Sequence, residues 1–242
     1  MSSQQLLYKD IILNYFDPNY KNAAIATDIV YFTIINNELN ILLIKRKDDK
    51  YQTAFPNYWA LPGGLLNENE TLDECAKRNL KEETNVVIDD IRHFQNFSTP
   101  NRDYRRRTVS ISYLAFNNSS DVNPKAGYDA SDVKWFNIFE LPEELAFDHK
   151  EIIKEGHNTI LKKIINEPNI IFPFLNKKFT IEQVRQVFRI ITKYDENHKI
   201  NLKINDRGNF HRWFTNLDLI IETDEKEQNV SHKPARLYEI KS

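Results

Sequence analysis

One cysteine, Cys75, is all that the sequence contains. An intrachain disulfide and a cysteine-rich zinc site are therefore excluded, a usage that fits a reducing cytosol. No apolar run approaches the roughly 18 residues that mark a membrane span. The opening MSSQQLLYKDIILNYF has no basic stretch followed by an apolar one, so it is not expected to be a signal peptide. Charge of one sign is also missing: 33 Lys and Arg stand against 35 Asp and Glu. Bulk charge will not hold a polyanion, and any nucleic-acid contact must come from local clustering. Glycine is scarce beside abundant Asn, Ile and Lys, a compositional habit to which no function attaches. What remains is 40% hydrophobic over 242 residues, enough for one large core or two modest ones.

Two strands are expected first, Ala26 to Ile35 and Leu39 to Ile44, joined by Asn36-Asn37. Asp48 to Pro56 reads as a loop, and the segment Trp59 to Gly64 leads into a helix over Leu72 to Thr84. Thr71 and Glu74 make a capping box, and Asn85 suits the left-handed residue that closes the helix. Further strands are expected over Val86 to Phe97, Thr108 to Phe116 and Val133 to Phe136, and a helix over Glu151 to Ile165. This alternation is α/β. A boundary falls near Pro168 to Pro173, dividing the chain into 1–168 and 169–242. Beyond it come a helix capped by Thr180 (Ile181 to Lys193), a second capped by Asp206, and strands over Leu219 to Thr223 and Ala235 to Ile240. That order suits a small α+β winged helix-turn-helix.

The most informative stretch is Gly64, five residues, Glu70, seven residues, then Arg78-Asn79-Leu80-Lys81-Glu82-Glu83-Thr84-Asn85-Val86. It resembles the Nudix box at every spacing. Carboxylates three and four apart share a helix face and hold divalent cations against a diphosphate. The resemblance implies a Nudix fold, a mixed sheet between helices. It also implies a glutamate directly after Arg78, central to catalysis, where this chain has Asn79. Asparagine has neither the charge for magnesium nor the basicity to take a proton, so efficient hydrolysis is not expected and no cofactor is required. Glu82 and Glu83, with Glu70, leave open a weak magnesium site and slow turnover. The plain alternative is a solvated helix face.

Asn101 to Arg107 resembles the Arg-Asp-Pro-Arg segment of Nudix proteins related to ADP-ribose pyrophosphatases, with Tyr104 in place of the proline. Guanidinium forks suit a diphosphate. Arg46, Gly63, Gly64, Arg78, Glu82, Glu83, Arg102 and Arg107 are the expected ligand-binding residues; for a single arginine, a solvated basic loop is the competing reading. His149 and Trp59 read as structural, and Asp148 as a helix cap.

Three later segments extend the resemblance to NrtR-type repressors of NAD metabolism. They are Phe179 to Val184, Asp206 to Arg212, and Lys233 to Tyr238. The middle one resembles that family's recognition helix. Arg207 would address a guanine or phosphate, Asn209 an adenine, and His211 and Arg212 phosphates, with Lys233 and Arg236 on a wing. The resemblance implies a cytoplasmic homodimer that binds a double-stranded DNA operator and senses ADP-ribose or a related nucleotide, away from membranes. Two rivals stay open: a magnesium-dependent hydrolase of nucleoside diphosphate sugars, and a sugar-responsive regulator of the same architecture.

Overall fold

A computed structural model describes residues 22–48, 54–118, 122–127, 130–193, 204–228, 230–231 and 233–241. The N-terminal segment read as no signal peptide, and most of the loop expected after Asp48, lie outside them. β1 (Ala24–Ile35) and β2 (Glu38–Arg46) form an antiparallel hairpin. Asn36 and Asn37 carry its turn at φ 53° and 61°, the backbone that a two-residue hairpin needs and asparagine tolerates. The lead-in to the first helix contains two short strands that its length concealed. β3 (Trp59–Ala60) pairs with β2, and β4 (Gly63–Leu65) with β1. β5 (Ile91–Phe97) pairs antiparallel with β6 (Thr108–Phe116), which runs parallel to β1; β7 (Ala130–Asn137) pairs with β2. β5 starts later than expected because Val86 is already spent, buried among Ala76, Leu80 and Tyr113.

α1 (Leu72–Thr84) begins at the Thr71–Glu74 capping box and closes at Asn85, φ 57°, whose N–H donates to the Lys81 carbonyl. α2 (His149–Lys163) starts two residues before the expected Glu151. The helices cover opposite faces of the mixed sheet, as alternation along β1 requires. Ile29 and Tyr31 pack with Ala76 and Leu80 of α1. Val30 and Phe32 share a cluster with Ile152, Ile153 and Ile160 of α2. α2 lies close: a Cβ on Gly156 would stand 2.9 Å from Val30 Cγ1.

The C-terminal part comprises α3 (Ile181–Ile191), α4 (Arg207–Thr215), β8 (Ile220–Lys226) and β9 (Arg236–Ile240), a winged helix-turn-helix. Thr180 and Gln183 cap α3 reciprocally, and Asp206 caps α4 through the Asn209 N–H at 2.6 Å. β8 runs past Thr223 because, after a shift in register, Lys226 still pairs with Arg236. Among the described residues no helix is long and apolar enough to cross a membrane.

The segment between these parts is a 3-10 helix, Pro168–Phe174, with Ile170, Ile171 and Phe174 buried. Phe174 meets Phe116 of β6 at 5.4 Å between ring centroids, and Phe172 meets Phe179 and Phe214 at 6.4 Å. One apolar cluster therefore runs from β1 to α4. The His157 Nε2 of α2 also lies 2.9 Å from the Ile191 carbonyl at the end of α3. Phe174→Ala is expected to destabilise the chain by about 3–5 kcal/mol, the usual cost of an emptied aromatic site. It should shift a single denaturant transition; two separate transitions would contradict a shared core.

Candidate effector cleft and DNA-binding face

A cleft of about 440 Å³ opens between β1, the β4 turn, α1 and the loop before β6. Its α1 side carries the box residues. Arg78 grips Glu70 with Nε and Nη2, at 2.8 and 2.7 Å, and Glu82 with Nη1 at 3.0 Å. Glu83 accepts from the Gly63 N–H at 2.9 Å. Asn79 is used at both ends of its amide: Nδ2 donates to the Cys75 carbonyl at 3.0 Å and Oδ1 accepts from Arg78 at 3.1 Å. The glycines here are sites of close approach. A Cβ on Gly63 would strike the Thr27 carbonyl at 2.1 Å, and one on Gly64 the Asn79 amide at 2.6 Å. Cys75 lies buried beneath, its thiol pushed up by burial.

These donors do not suit a hard cation, which wants several carboxylate or carbonyl oxygens converging on one point. Glu82 is tied to Arg78, Glu83 to Gly63, and the residue between Arg78 and Leu80 is an amide. Among the described residues no group of three or more His, Cys, Asp or Glu side chains is placed to hold a metal ion.

The cleft floor holds a buried charged network. Arg102, 4% exposed at its side chain, binds Asp148 through Nε at 2.9 Å and Nη2 at 2.6 Å, and reaches Asp28 at 3.4 Å. Burial works against its charge, and the two carboxylates outweigh that, so its pKa is raised. Asp28 also accepts from the Ser110 hydroxyl at 2.5 Å. Asp148 sits at the cap position of α2 but makes no side-chain cap bond; its carboxylate is turned to Arg102. His149 is buried, and its Nδ1 accepts from the Leu61 N–H at 2.9 Å. That bond leaves the ring proton on Nε2, 3.4 Å from Asp28. Burial pushes the imidazole pKa down.

Of the sequence-derived ligand residues, Arg46, Gly63, Gly64, Arg78, Glu83 and Arg102 line the cleft. Two do not. Glu82 stands outside it, paired with Arg78, and Arg107 turns away to donate to the Ser98 carbonyl at 2.6 Å, pinning its own loop. The position is taken by Arg105, two residues earlier, which lines the cleft with Asp28, Asp103, Phe147 and His149. In a loop no periodicity says which arginine of a run faces inward. Arg46 donates to the Ala54 carbonyl at 2.6 Å, and burial lowers its pKa.

On the other part of the chain, Arg207, Asn209, His211 and Arg212 lie exposed along α4, while Phe210 and Phe214 are buried beneath them. Arg212 donates to Asn209 Oδ1 at 2.8 Å. Lys233 and Arg236 are exposed at the β8–β9 hairpin. A groove of about 480 Å³ separates α4 from the hairpin, with Arg207 and His211 on one wall and Arg236 on the other. Arg207 pairs with Glu182 at 3.4 Å, and Arg236 with Glu222. Gly208 meets nothing that a Cβ would crowd; its nearest neighbour is the Asp206 carboxylate at 3.5 Å.

A mixed sheet between two helices, with the box arranged on α1 at the mouth of a cleft, defines the class: the chain belongs to the Nudix family, whose NUDIX domain model matches residues 26–156. The NrtR DNA-binding winged helix domain matches residues 171–240. An ADP-ribose pyrophosphatase of Methanocaldococcus jannaschii is 37% identical over 136 residues, 56% of this chain and 74% of that protein. The ADPR responsive transcriptional repressor NtrR of Acinetobacter baylyi is 25% identical across 94% of this chain and 86% of its own length. The structure of Shewanella oneidensis NrtR complexed with a 27mer DNA superposes with a TM-score of 0.68, at 26% identity, over 90% of this chain and 93% of that one. The Nudix domain of the same protein, solved with ADP ribose, covers 66% of this chain and 99% of its own, with a TM-score of 0.54 and 28% identity.

Arg78 holds the Glu70 carboxyl at a pKa of about 2, well under the ordinary value of about 4.3. A depressed carboxylate contributes stability that is full above its unfolded pKa and lost as pH falls through the folded one. The Glu70–Arg78 pair should therefore persist through mild acid. A carboxyl-carbon NMR titration should place Glu70 near 2, and a normal midpoint would show that the pair does not hold in solution.

Proposed function

We infer that this chain is a transcriptional repressor of the NrtR type, in which a Nudix domain binds ADP-ribose and a winged helix binds double-stranded operator DNA. One observation carries the reading. A basic cleft whose box has an amide at the central carboxylate position shares a chain, and a core, with an exposed recognition helix. The repressor and the pyrophosphatase among its relatives support the effector, and the DNA-bound neighbour supports the operator. The arginines of the cleft favour a diphosphate over an uncharged sugar. Asn79 disfavours the hydrolase, and the effector is held without need of a metal.

Such a protein works in the cytoplasm as a homodimer, its two winged helices matching two operator half-sites. Effector and operator are linked only insofar as ADP-ribose prefers one arrangement of the dimer. Because the winged helix shares its core with the Nudix domain of its own chain, that preference acts between protomers.

Calorimetric titration with ADP-ribose, with and without magnesium, should give saturable binding and no AMP. Turnover on the order of 1 per second or faster would make the protein an enzyme and sink the pure sensor. Arg207→Ala with Arg212→Ala should weaken operator binding roughly tenfold or more and leave ADP-ribose binding unchanged. An unaltered gel shift would remove α4 from the DNA.

A further inference from the structure

Beside the arginines stands a run of three aromatic rings in contact, Phe147, Phe55 and Tyr104. Phe147 lines the cleft itself. Its ring lies 4.7 Å from that of Phe55, and Phe55 in turn lies 5.6 Å from Tyr104. Arg46 and Arg105 stand over Phe147, with Cζ at 5.4 and 5.8 Å from its centroid. Three features set these rings apart from ordinary core. Tyr104 is 68% exposed. Phe55 and Phe147, which touch, both have φ of 53°, a conformation that bulky residues seldom adopt and that is retained where the surroundings enforce it. And two of the cations that line the cleft, Arg46 and Arg105, are stacked on the Phe147 ring.

We propose that Phe147, Phe55 and Tyr104 form the docking wall for the planar base of a nucleotide effector whose diphosphate lies on Arg46 and Arg105. This rests on the effector reading above and adds to it what distinguishes a nucleotide from a sugar phosphate. Phosphate and base sit on opposite ends of one nucleoside, and here guanidinium groups and rings are adjacent in the same order. Any base has a face to stack, so the wall selects for the presence of a base rather than for its identity. Tyr104 forms its outer end.

The test compares wild type, Tyr104→Ala and Tyr104→Phe with three probes: ADP-ribose, its fluorescent etheno-adenine analogue, and inorganic pyrophosphate. Tyr104→Ala should weaken ADP-ribose roughly tenfold, on the scale of base–aromatic stacking, and abolish quenching of the etheno-adenine. Tyr104→Phe should keep both, and pyrophosphate affinity should be the same in all three proteins. ADP-ribose bound equally by wild type and Tyr104→Ala overturns the wall and leaves the effector reading intact. Wild-type protein that binds pyrophosphate but not ADP-ribose overturns both. A Tyr104→Ala protein that loses pyrophosphate and ADP-ribose alike and changes oligomeric state makes the surface a contact between protein copies, and overturns the wall.

Discussion

Arg102 brings a positive charge into a place that water barely reaches, where Asp28 and Asp148 neutralise it. Taking a guanidinium out of water is costly unless its partners are close and well aligned. The arrangement therefore constrains three elements at once. β1 must present Asp28, the loop before β6 must deliver Arg102, and α2 must start where Asp148 can turn inward. The cleft is the space left above this junction. Arg46 and Arg105 line it over a floor that is already fixed, and Gly63 passes close enough to Asp28 that a side chain there would collide.

Local signals were legible in the sequence. The caps at Thr71, Asn85, Thr180 and Asp206 each depend on residues within four positions, and the helices start where those residues stand. The alternation along β1 and β6 was similarly plain. β3 and β4 were not, since two or three residues carry no period. The site divides along the same line. The box lies on one helix, so its spacing is its geometry. The floor is assembled from Asp28, Arg102, Ser110 and Asp148, which lie 46 to 82 positions apart in their bonded pairs. No spacing rule links them, and Asp148 read as a simple cap. The exchange of Arg105 for Arg107 has the same origin, because the direction of a loop side chain is decided by what it meets.

The asparagine at position 79 is more than a missing carboxylate. Its amide donates to one neighbour and accepts from another, which a glutamate could not do with the same atoms. It thereby closes the surface between Arg78 and Cys75 at the point where Gly64 passes. The Nudix scaffold is thus kept with its box intact in outline, and Asn79 belongs to the packing of α1.

The neutral state of His149 has a bearing on what such a cleft reports. Its imidazole is sealed under the β4 turn, with one nitrogen taken by Leu61 and its affinity for a second proton reduced by burial. An imidazole in contact with water would take a second proton more readily and would alter the field felt by a bound anion. Burial biases this one toward the neutral ring, so its part in the cleft is to hold the β4 turn through Leu61 and to face Asp28 with its other nitrogen.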